Sequence, residues 1–345
     1  MRIPEFLPPG GTVGFAAPSF GCATEPYKSG FENAMSRLSE MGYIMYPGPN
    51  VYKSDGIGIS TDPESAAAEF MELYTGRDCD AIVSCGGGEL MCEILPYLDF
   101  DRLREAQPKW FMGYSDNTNI TFLLNTLADT AAIYGPCAPT LGMEPWAPSV
   151  LDAWETLTGN RPEIGGYEKW EKESLKDEEH PTVPYNMTER SMHKFFPAAD
   201  RVRGVSFSGR LIGGCLDILM NLKGTVYDRV GEYLERYKED GFIWFLEACD
   251  LTPMDIRRAF WSLREAGWFK YAKGFLIGRP LHFGEEMMGV DQYNAVTDMI
   301  GSMGVPIIMD LDIGHLPPQM PLISGAKAEV SARLEEIRVS YVSER

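Results

Sequence analysis

The chain has 345 residues, 44% of them hydrophobic and 23% charged, which is typical of a globular protein long enough for two domains. Its net charge of -19 opposes binding to phosphate backbones and anionic membranes, so we expect no nucleic-acid or membrane partner. No apolar run approaches the ~20 residues of a membrane span, and the proline-rich N-terminus is unlike a signal peptide.

The cysteines and histidines argue against disulfides and metal sites. The seven cysteines are an odd number and include no Cys-x-x-Cys pair, which predicts reduced, mostly buried thiols in a cytoplasmic protein. The four histidines are scattered, and none pairs with another at metal-ligand spacing. We therefore expect neither a metal nor any other cofactor.

Short apolar strands alternate with amphipathic helices over residues 1–145. This alternation predicts an α/β fold, with an N-terminal domain built on a parallel sheet that has helices on both faces. Binding sites of such sheets lie at the carboxyl ends of the strands. Predicted strands lie within 11–19 and at 43–46, 81–84, 109–113 and 131–134, and predicted helices at 27–41, 61–75 and from 118 onward.

The pattern changes twice beyond this domain. Residues 146–205 lose the alternation and are rich in Pro, Gly, Glu, Lys and Trp, which predicts a long connection that covers another part of the protein. Strands and helices return over 206–345, which predicts a second, mixed α+β domain. Its last two strands, 328–331 and 337–340, alternate as an antiparallel edge pair would.

Ser115 lies where a predicted strand meets a predicted helix. The apolar strand ends at Gly113, and helical spacing of apolar residues begins at Thr118. On such a turn the hydroxyl of Ser115 lies beside the positive end of the helix, and the amide of Asp116 can hold an oxyanion. The alternative is a capping serine. The full Gly-x-Ser-x-Gly elbow is absent, because Asn117 replaces the second glycine.

Glu247 and His315 each follow an apolar strand as well. Taken singly, Glu247 is explained by an ion pair with Arg279 or Arg257, and His315 by hydrogen bonds to backbone. Taken with Ser115, they match a nucleophile, a base and a carboxylate that orients the base. The order Ser, acid, His along the chain is also that of the α/β-hydrolases.

A glycine turn, Ser84–Gly88, follows the third predicted strand. Its Gly86 and Gly87 allow backbone N–H groups to approach closely, so they can supply a second oxyanion donor beside Asp116. Two alternatives use the same turn. Cys85 would be the nucleophile of a cysteine hydrolase of the glutamine-amidotransferase type, or the turn would cradle a phosphate in a non-catalytic nucleotide-binding module, although no Gly-Lys-Ser/Thr follows it.

Several short motifs occur in order over residues 11–330, and together they resemble the LD-carboxypeptidase family of serine peptidases, which includes muramoyl-tetrapeptide carboxypeptidases and microcin C immunity proteins. The resemblance implies a catalytic triad of Ser115, Glu247 and His315, a site between the two domains, a cytoplasmic homodimer and no metal. The motifs are Ala17-Pro18-Ser19, Gly86-Gly87, Gly113-Tyr114-Ser115-Asp116-Asn117-Thr118, Gly209-Arg210-Leu211-Ile212-Gly213-Gly214, Leu246-Glu247, Gly274-Phe275-Leu276-Ile277-Gly278-Arg279 and Gly314-His315.

The resemblance leaves the substrate open between muropeptides and peptidyl- or aminoacyl-adenylates. Relatives often have Gly-Gly-Asn where this chain has Cys215 after two glycines. A carboxypeptidase needs a cation for the substrate carboxylate, and Arg279 or Arg210 is the candidate. The alternative is that either arginine is a structural partner of Glu247 or Asp217. Trp170 either stacks on a flat group such as adenine or anchors its loop.

Overall fold

The computed structural model describes residues 1–56 and 58–342, so the last three residues of the predicted segment 206–345 lie outside it. The strands are β1 (Thr12–Ala16), β2 (Ile44–Pro47), β3 (Ala81–Ser84), β4 (Trp110–Gly113), β5 (Ala132–Tyr134), β6 (Glu163–Gly165), β7 (Lys169–Glu171), β8 (Met187–Arg190), β9 (Lys194–Phe196), β10 (Val205–Cys215), β11 (Phe242–Glu247), β12 (Ala272–Gly278), β13 (Glu286–Met287), β14 (Val290–Asp291), β15 (Ile307–Leu311), β16 (Leu322–Ser324), β17 (Lys327–Arg333) and β18 (Glu336–Tyr341).

The helices are fewer and mostly short. The α-helices are α1 (Tyr27–Glu40), α2 (Pro63–Thr75), α3 (Phe100–Glu105), α4 (Thr118–Thr126), α5 (Pro148–Leu157), α6 (Asp200–Arg203), α7 (Leu216–Leu222), α8 (Val230–Arg236), α9 (Pro253–Glu265) and α10 (Gln292–Ile300). Stretches of 3₁₀ helix lie at Met91–Tyr97, Ser115–Asn117, Ala138–Gly142 and Gly301–Met303. Over residues 1–56 and 58–342, no helix has the length and apolarity to cross a bilayer.

Local signals explain where the longer helices begin and end. Asp62 accepts a hydrogen bond from the amide of Ser65 and proline follows it, so α2 begins there. Thr252 and Asp255 form a reciprocal capping box at the start of α9. Gly42, at φ +90°, follows the end of α1, as expected of a glycine stop.

The chain divides into two compact units. The first comprises Met1–Pro162, Glu173–Asn186 and Pro321–Ile323, and the second comprises Glu163–Lys172, Met187–Met320 and 324–342. The first unit contains a six-stranded sheet in the order β16-β5-β4-β3-β1-β2. Strands β1 to β5 run parallel, as predicted. Every residue of β3 and β4 is buried, which is expected of central strands covered on both faces.

The second unit contains an eight-stranded mixed sheet in the order β6-β18-β17-β10-β11-β12-β15-β9. The strands from β10 to β15 in this order pair in parallel, and the pairs toward both ends are antiparallel. The predicted strands at 328–331 and 337–340 do pair antiparallel, but they are not at the edge, because β6 pairs with β18. The prediction of an edge pair was therefore wrong in that respect.

The stretch 146–205 is not the irregular connection that its composition suggests. It contains α5 and the strands β6 to β9, and parts of it belong to each of the two units. The helix α5 begins at Pro148 without a side-chain cap, and the strands have three or four residues each. Elements this short show too little periodicity to be found from sequence.

Candidate active site

Ser115 occupies a strained turn between β4 and α4. Its φ of +63° lies in the left-handed region, which residues other than glycine rarely adopt. The amide of Ser115 donates a 3.3 Å hydrogen bond to the hydroxyl of Tyr134, at the end of the adjacent strand β5. Tyr114 and Asn117 are the residues that precede the 3₁₀ turn and α4. Ser115 is therefore not the N-cap residue of either element, and it occupies the strand-to-helix position that a nucleophile elbow has.

The glycine turn Ser84–Gly88 follows β3, the strand next to β4, and its backbone faces Ser115. A Cβ atom at Gly87 would lie 3.1 Å from Cβ and 3.2 Å from Oγ of Ser115. It would lie 3.9 Å from the amide nitrogen of Asp116. The structure thus brings Ser115 together with Gly87 and Asp116 of the predicted oxyanion site, in a space that a larger residue at position 87 would fill.

Gly86, the remaining predicted oxyanion residue, is held by its carbonyl. The side-chain amide of Asn117 donates to Gly86 O at 2.8 Å, and the hydroxyl of Ser84 donates to it at 3.0 Å. The next carbonyl, of Gly87, accepts from the amide of Phe20 at 2.9 Å. These bonds fix how the peptides of the turn are oriented. They tie the turn to Asn117, two residues after Ser115, and to Phe20, in the segment after β1.

Cys85 is an unsuitable nucleophile in this structure. Its side chain is buried, and burial raises the pKa of the thiol well above its ordinary value, with the nearby thiol of Cys22 adding to the effect. Reactive cysteines instead require an environment that stabilises the thiolate. The geometry therefore opposes the cysteine-hydrolase alternative.

Glu247 and His315 form a carboxylate–imidazole pair in the second unit. Glu247, at the end of β11, is 1% exposed, and its Oε2 lies 2.9 Å from Nδ1 of His315. Two glycines allow this approach: a Cβ at Gly314 would lie 2.7 Å from Glu247 Oε2, and one at Gly278 would lie 3.0 Å from Glu247 Cβ. The pair has the contact by which a carboxylate orients a catalytic imidazole.

The alternative partners of Glu247 have other carboxylates. Arg257 pairs with Asp298 at 2.7 Å, and Arg279 pairs with the buried Asp312. Both arginines thus pair with carboxylates other than Glu247, whose carboxylate contacts His315. His315 likewise has a side-chain partner and does not depend on backbone alone.

The electrostatics of His315 follow from this contact. Burial lowers the pKa of the His315 imidazole. The Glu247 carboxylate, together with Cys249, raises this pKa by a larger amount, so it lies well above its usual value. The neighbouring carboxylate thus favours the imidazolium, which is the charge state that a general base acquires. Sequence reasoning missed the contribution of Cys249 to the pKa of His315. The signal that could have indicated it is the position of Cys249, two residues after Glu247.

The residues predicted to contact substrate have structural partners in the second unit. Arg279 pairs with Asp312, and its guanidinium lies 5.1 Å from the ring centroid of Trp170, which is 5% exposed. Arg210 pairs with Asp240 at 2.7 Å. Both arginines therefore have structural carboxylate partners, but these are Asp312 and Asp240 and not the suggested Glu247 or Asp217, and the buried Trp170 matches the loop-anchoring alternative. A role of any of them in substrate binding stays a prediction.

No metal centre is evident in the described part of the chain. Within residues 1–56 and 58–342, no group of three or more His, Cys, Asp or Glu side chains is placed to hold a metal ion. That activity requires no metal stays a prediction.

Comparison with known families gives two matches along the chain. A model of the LD-carboxypeptidase N-terminal domain matches residues 13–135, and a model of the LD-carboxypeptidase C-terminal domain matches residues 208–330. The first match includes Ser115 and the glycine turn, and the second includes Glu247 and His315. Together the matches cover more than half of the chain.

Individual proteins are similar over nearly the whole chain. The microcin C7 self-immunity protein MccF of Escherichia coli is 27% identical, with 96% of this chain and 93% of that protein covered. A probable murein peptide carboxypeptidase of Bacillus subtilis is 25% identical, with 95% and 91% covered. The structure of MccF with aspartyl sulfamoyl adenosine superposes with a TM-score of 0.79 at 24% identity, covering 99% of this chain and 98% of that one.

Proposed function

Because this chain belongs to the LD-carboxypeptidase family of serine peptidases, we propose that Ser115, His315 and Glu247 are the catalytic triad with which it hydrolyses a C-terminal amide-type bond of a small peptide. The observation that carries the proposal is the setting of Ser115. A serine at a φ of +63°, facing the backbone of Gly87, is a costly arrangement that nucleophile elbows require. The carboxylate–imidazole pair of Glu247 and His315 supplies the matching base.

In the proposed mechanism, Ser115 Oγ attacks the carbonyl carbon of the scissile bond while His315 Nε2 takes the hydroxyl proton. Glu247 accepts from Nδ1–H, which keeps Nε2 as the basic nitrogen and stabilises the imidazolium. The amides of the glycine turn and of Asp116 hold the oxyanion of the tetrahedral intermediate. His315 then gives its proton to the leaving group, and water hydrolyses the acyl-enzyme by the same steps in reverse.

The substrate is proposed by analogy with the similar proteins. The murein peptide carboxypeptidase supports a muropeptide that ends in a free carboxylate. A second class, an aminoacyl or peptidyl nucleotide, is supported by MccF, a self-immunity protein whose structure contains aspartyl sulfamoyl adenosine. The two classes differ in the leaving group, an amino acid in the first and a nucleotide analogue in the second.

One experiment separates the two classes. The purified protein is offered a tetrapeptide muropeptide ending in D-Ala and an aminoacyl-sulfamoyl adenosine, and both are followed by mass spectrometry. We expect cleavage of at least one, which the Ser115→Ala protein should not perform. Cleavage of one alone rejects the role represented by the other. Cleavage of neither, with Ser115 still reactive to a serine probe, contradicts both substrate classes.

We further propose that the protein works in the cytoplasm as a homodimer, without nucleic-acid or membrane partners. The support is the net charge of -19, which repels polyanions, together with the family resemblance. Sedimentation equilibrium should give a mass near twice that of one chain. A single-chain mass over the micromolar range would contradict the dimer.

A further inference from the structure

Asp116 carries a buried carboxylate that the mechanism above does not use. The residue is 1% exposed, and no cation pairs with it among residues 1–56 and 58–342. Three donors satisfy it instead: the hydroxyl of Ser19 at 2.5 Å, the amide of Met91 at 2.9 Å and the side-chain amide of Asn119 at 2.9 Å. Burial of a carboxylate without a cation is unfavourable. We therefore look for a function of this carboxylate and its three hydrogen bonds.

The three donors come from three different segments. Ser19 belongs to the segment after β1, Met91 begins the 3₁₀ turn that follows the glycine turn, and Asn119 lies in the first turn of α4. One carboxylate, directly after the proposed nucleophile, thus joins three segments of the first unit. Because it accepts from the amide of Met91, three residues beyond Gly88, its position restrains the chain that leaves the glycine turn.

Two further hydrogen bonds hold the glycine turn, and their donors are the residues next to Asp116 and Ser19. Asn117 donates to the carbonyl of Gly86 at 2.8 Å, and the amide of Phe20 donates to the carbonyl of Gly87 at 2.9 Å. The residues that follow Asp116 and Ser19 therefore hold the turn at its centre. The carboxylate of Asp116 holds the chain at Met91, three residues beyond the turn.

Ser19 itself requires a glycine in the turn. A Cβ at Gly88 would collide with the Ser19 hydroxyl, and Gly88 has a φ of +143°. The same hydroxyl lies 3.2 Å from the carbonyl of Gly58, but its single proton is better placed for the shorter contact with Asp116. The hydroxyl of Ser19 thus packs against Gly88 of the glycine turn and donates to the carboxylate of Asp116.

From this network we infer that the side chains of Asp116 and Ser19 are positioning residues, which hold the oxyanion amides of the glycine turn in register with Ser115. The inference rests on the proposed function. The carboxylate contacts no reacting atom; it acts through the backbone it holds. Its loss should therefore weaken stabilisation of the transition state more than binding of the substrate.

The test compares three variants of the full chain. Asp116→Asn keeps the shape but turns one acceptor into a donor, which then faces one of the three existing donors. Ser19→Ala removes a single hydrogen bond. The matched control is Asp152→Asn, which alters another buried carboxylate of the first unit. Asp152 lies in α5 and pairs with Arg161, which follows that helix.

We expect Asp116→Asn to lower kcat by about 10²-fold, with KM changed less than about threefold, because losing an oxyanion donor has an effect of that order. The labelling rate of Ser115 by a fluorophosphonate probe should fall in parallel, since that reaction also develops charge on an oxygen. We expect Ser19→Ala to lower both rates by about 10-fold, and the double variant to be no slower than Asp116→Asn, because the two residues share one bond. The control should lose melting temperature only.

A kcat and labelling rate of Asp116→Asn equal to those of Asp152→Asn, measured where both are folded, would overturn the inference. A rise in KM with kcat unchanged would do the same. If Asp116→Asn fails to fold, Ser19→Ala decides by the same criteria. Wild-type protein that is not labelled at Ser115 would instead reject the proposed function. Labelled wild type with unaffected variants rejects only the positioning role.

Discussion

The Ser115→Ala protein is expected to lose hydrolysis by about 10⁴-fold or more in kcat while it keeps its fold, because removal of a triad member has an effect of that size. Alanine and serine differ by one oxygen, and both meet the same backbone strain at a φ of +63°. The substitution therefore removes the nucleophile with little change in the free energy of unfolding. Steady-state rates and thermal melting of the same preparation measure the two effects.

The matched control is Ser149→Ala, which removes a hydroxyl from a buried serine of α5 in the same unit. It should retain wild-type turnover. A fluorophosphonate probe should label the control and the wild type but not Ser115→Ala. Turnover by Ser115→Ala within about tenfold of wild type would reject Ser115 as the nucleophile.

Glu247→Gln is expected to lower kcat by about 10³- to 10⁴-fold, since the carboxamide stabilises the wrong imidazole tautomer. The carboxylate accepts from Nδ1–H of His315 across 2.9 Å, whereas the glutamine amide can donate to Nδ1 and leave the proton on Nε2. A protonated Nε2 cannot take the proton of Ser115. Glu247 is buried and packs against Gly278 and Gly314, and glutamine has the same size, so the substitution should keep the fold.

We also expect Glu247→Gln to change the pH dependence of activity. Burial lowers the pKa of His315, but Glu247 outweighs it and raises the pKa well above its ordinary value. Activity of the wild type should therefore rise with pH through this raised pKa, where the imidazole becomes a free base. Without the carboxylate the pKa falls, so the acidic limb of residual kcat/KM should move to lower pH.

Stability should show the corresponding linkage. Because the folded pKa of His315 is raised, its stabilising contribution is complete below the unfolded value of about 6.5 and is lost as pH rises through the folded pKa. Glu247→Gln should remove this slope from the melting temperature. Asp298→Asn, which breaks the ion pair with Arg257, is the control and should leave the pH–rate profile unchanged. A lowered melting temperature with an unchanged profile would make Glu247 purely structural.

Local sequence signals predicted much of both units. The strand at 81–84 has the predicted limits, and the helix predicted over 27–41 spans Tyr27–Glu40, because a short apolar run and a glycine stop are readable within a few residues. The elements of 146–205 were not predicted, since strands of three or four residues form by pairing with distant partners. β6 illustrates this, as it pairs with β18 far along the chain.

The sequence by itself determined the turn at Ser115. An apolar strand, Gly113 and a helix beginning at Thr118 follow one another in the sequence, so the position of the serine on a turn between them follows from local conformational preference. The parallel order of the first sheet also followed, because alternating strands and helices allow few arrangements. Ser115 and the glycine turn thus share one sheet edge by topology alone.

Only the tertiary structure decided which groups pair with one another. Glu247 and His315 are 68 residues apart, and their contact depends on strand register and on the space left by Gly314. The same holds for Arg279, which pairs with Asp312, and for the Asp116 carboxylate, whose donors come from separate segments. A buried charge takes the partner that packing brings within hydrogen-bond distance, and that partner is set by the three-dimensional arrangement of the chain.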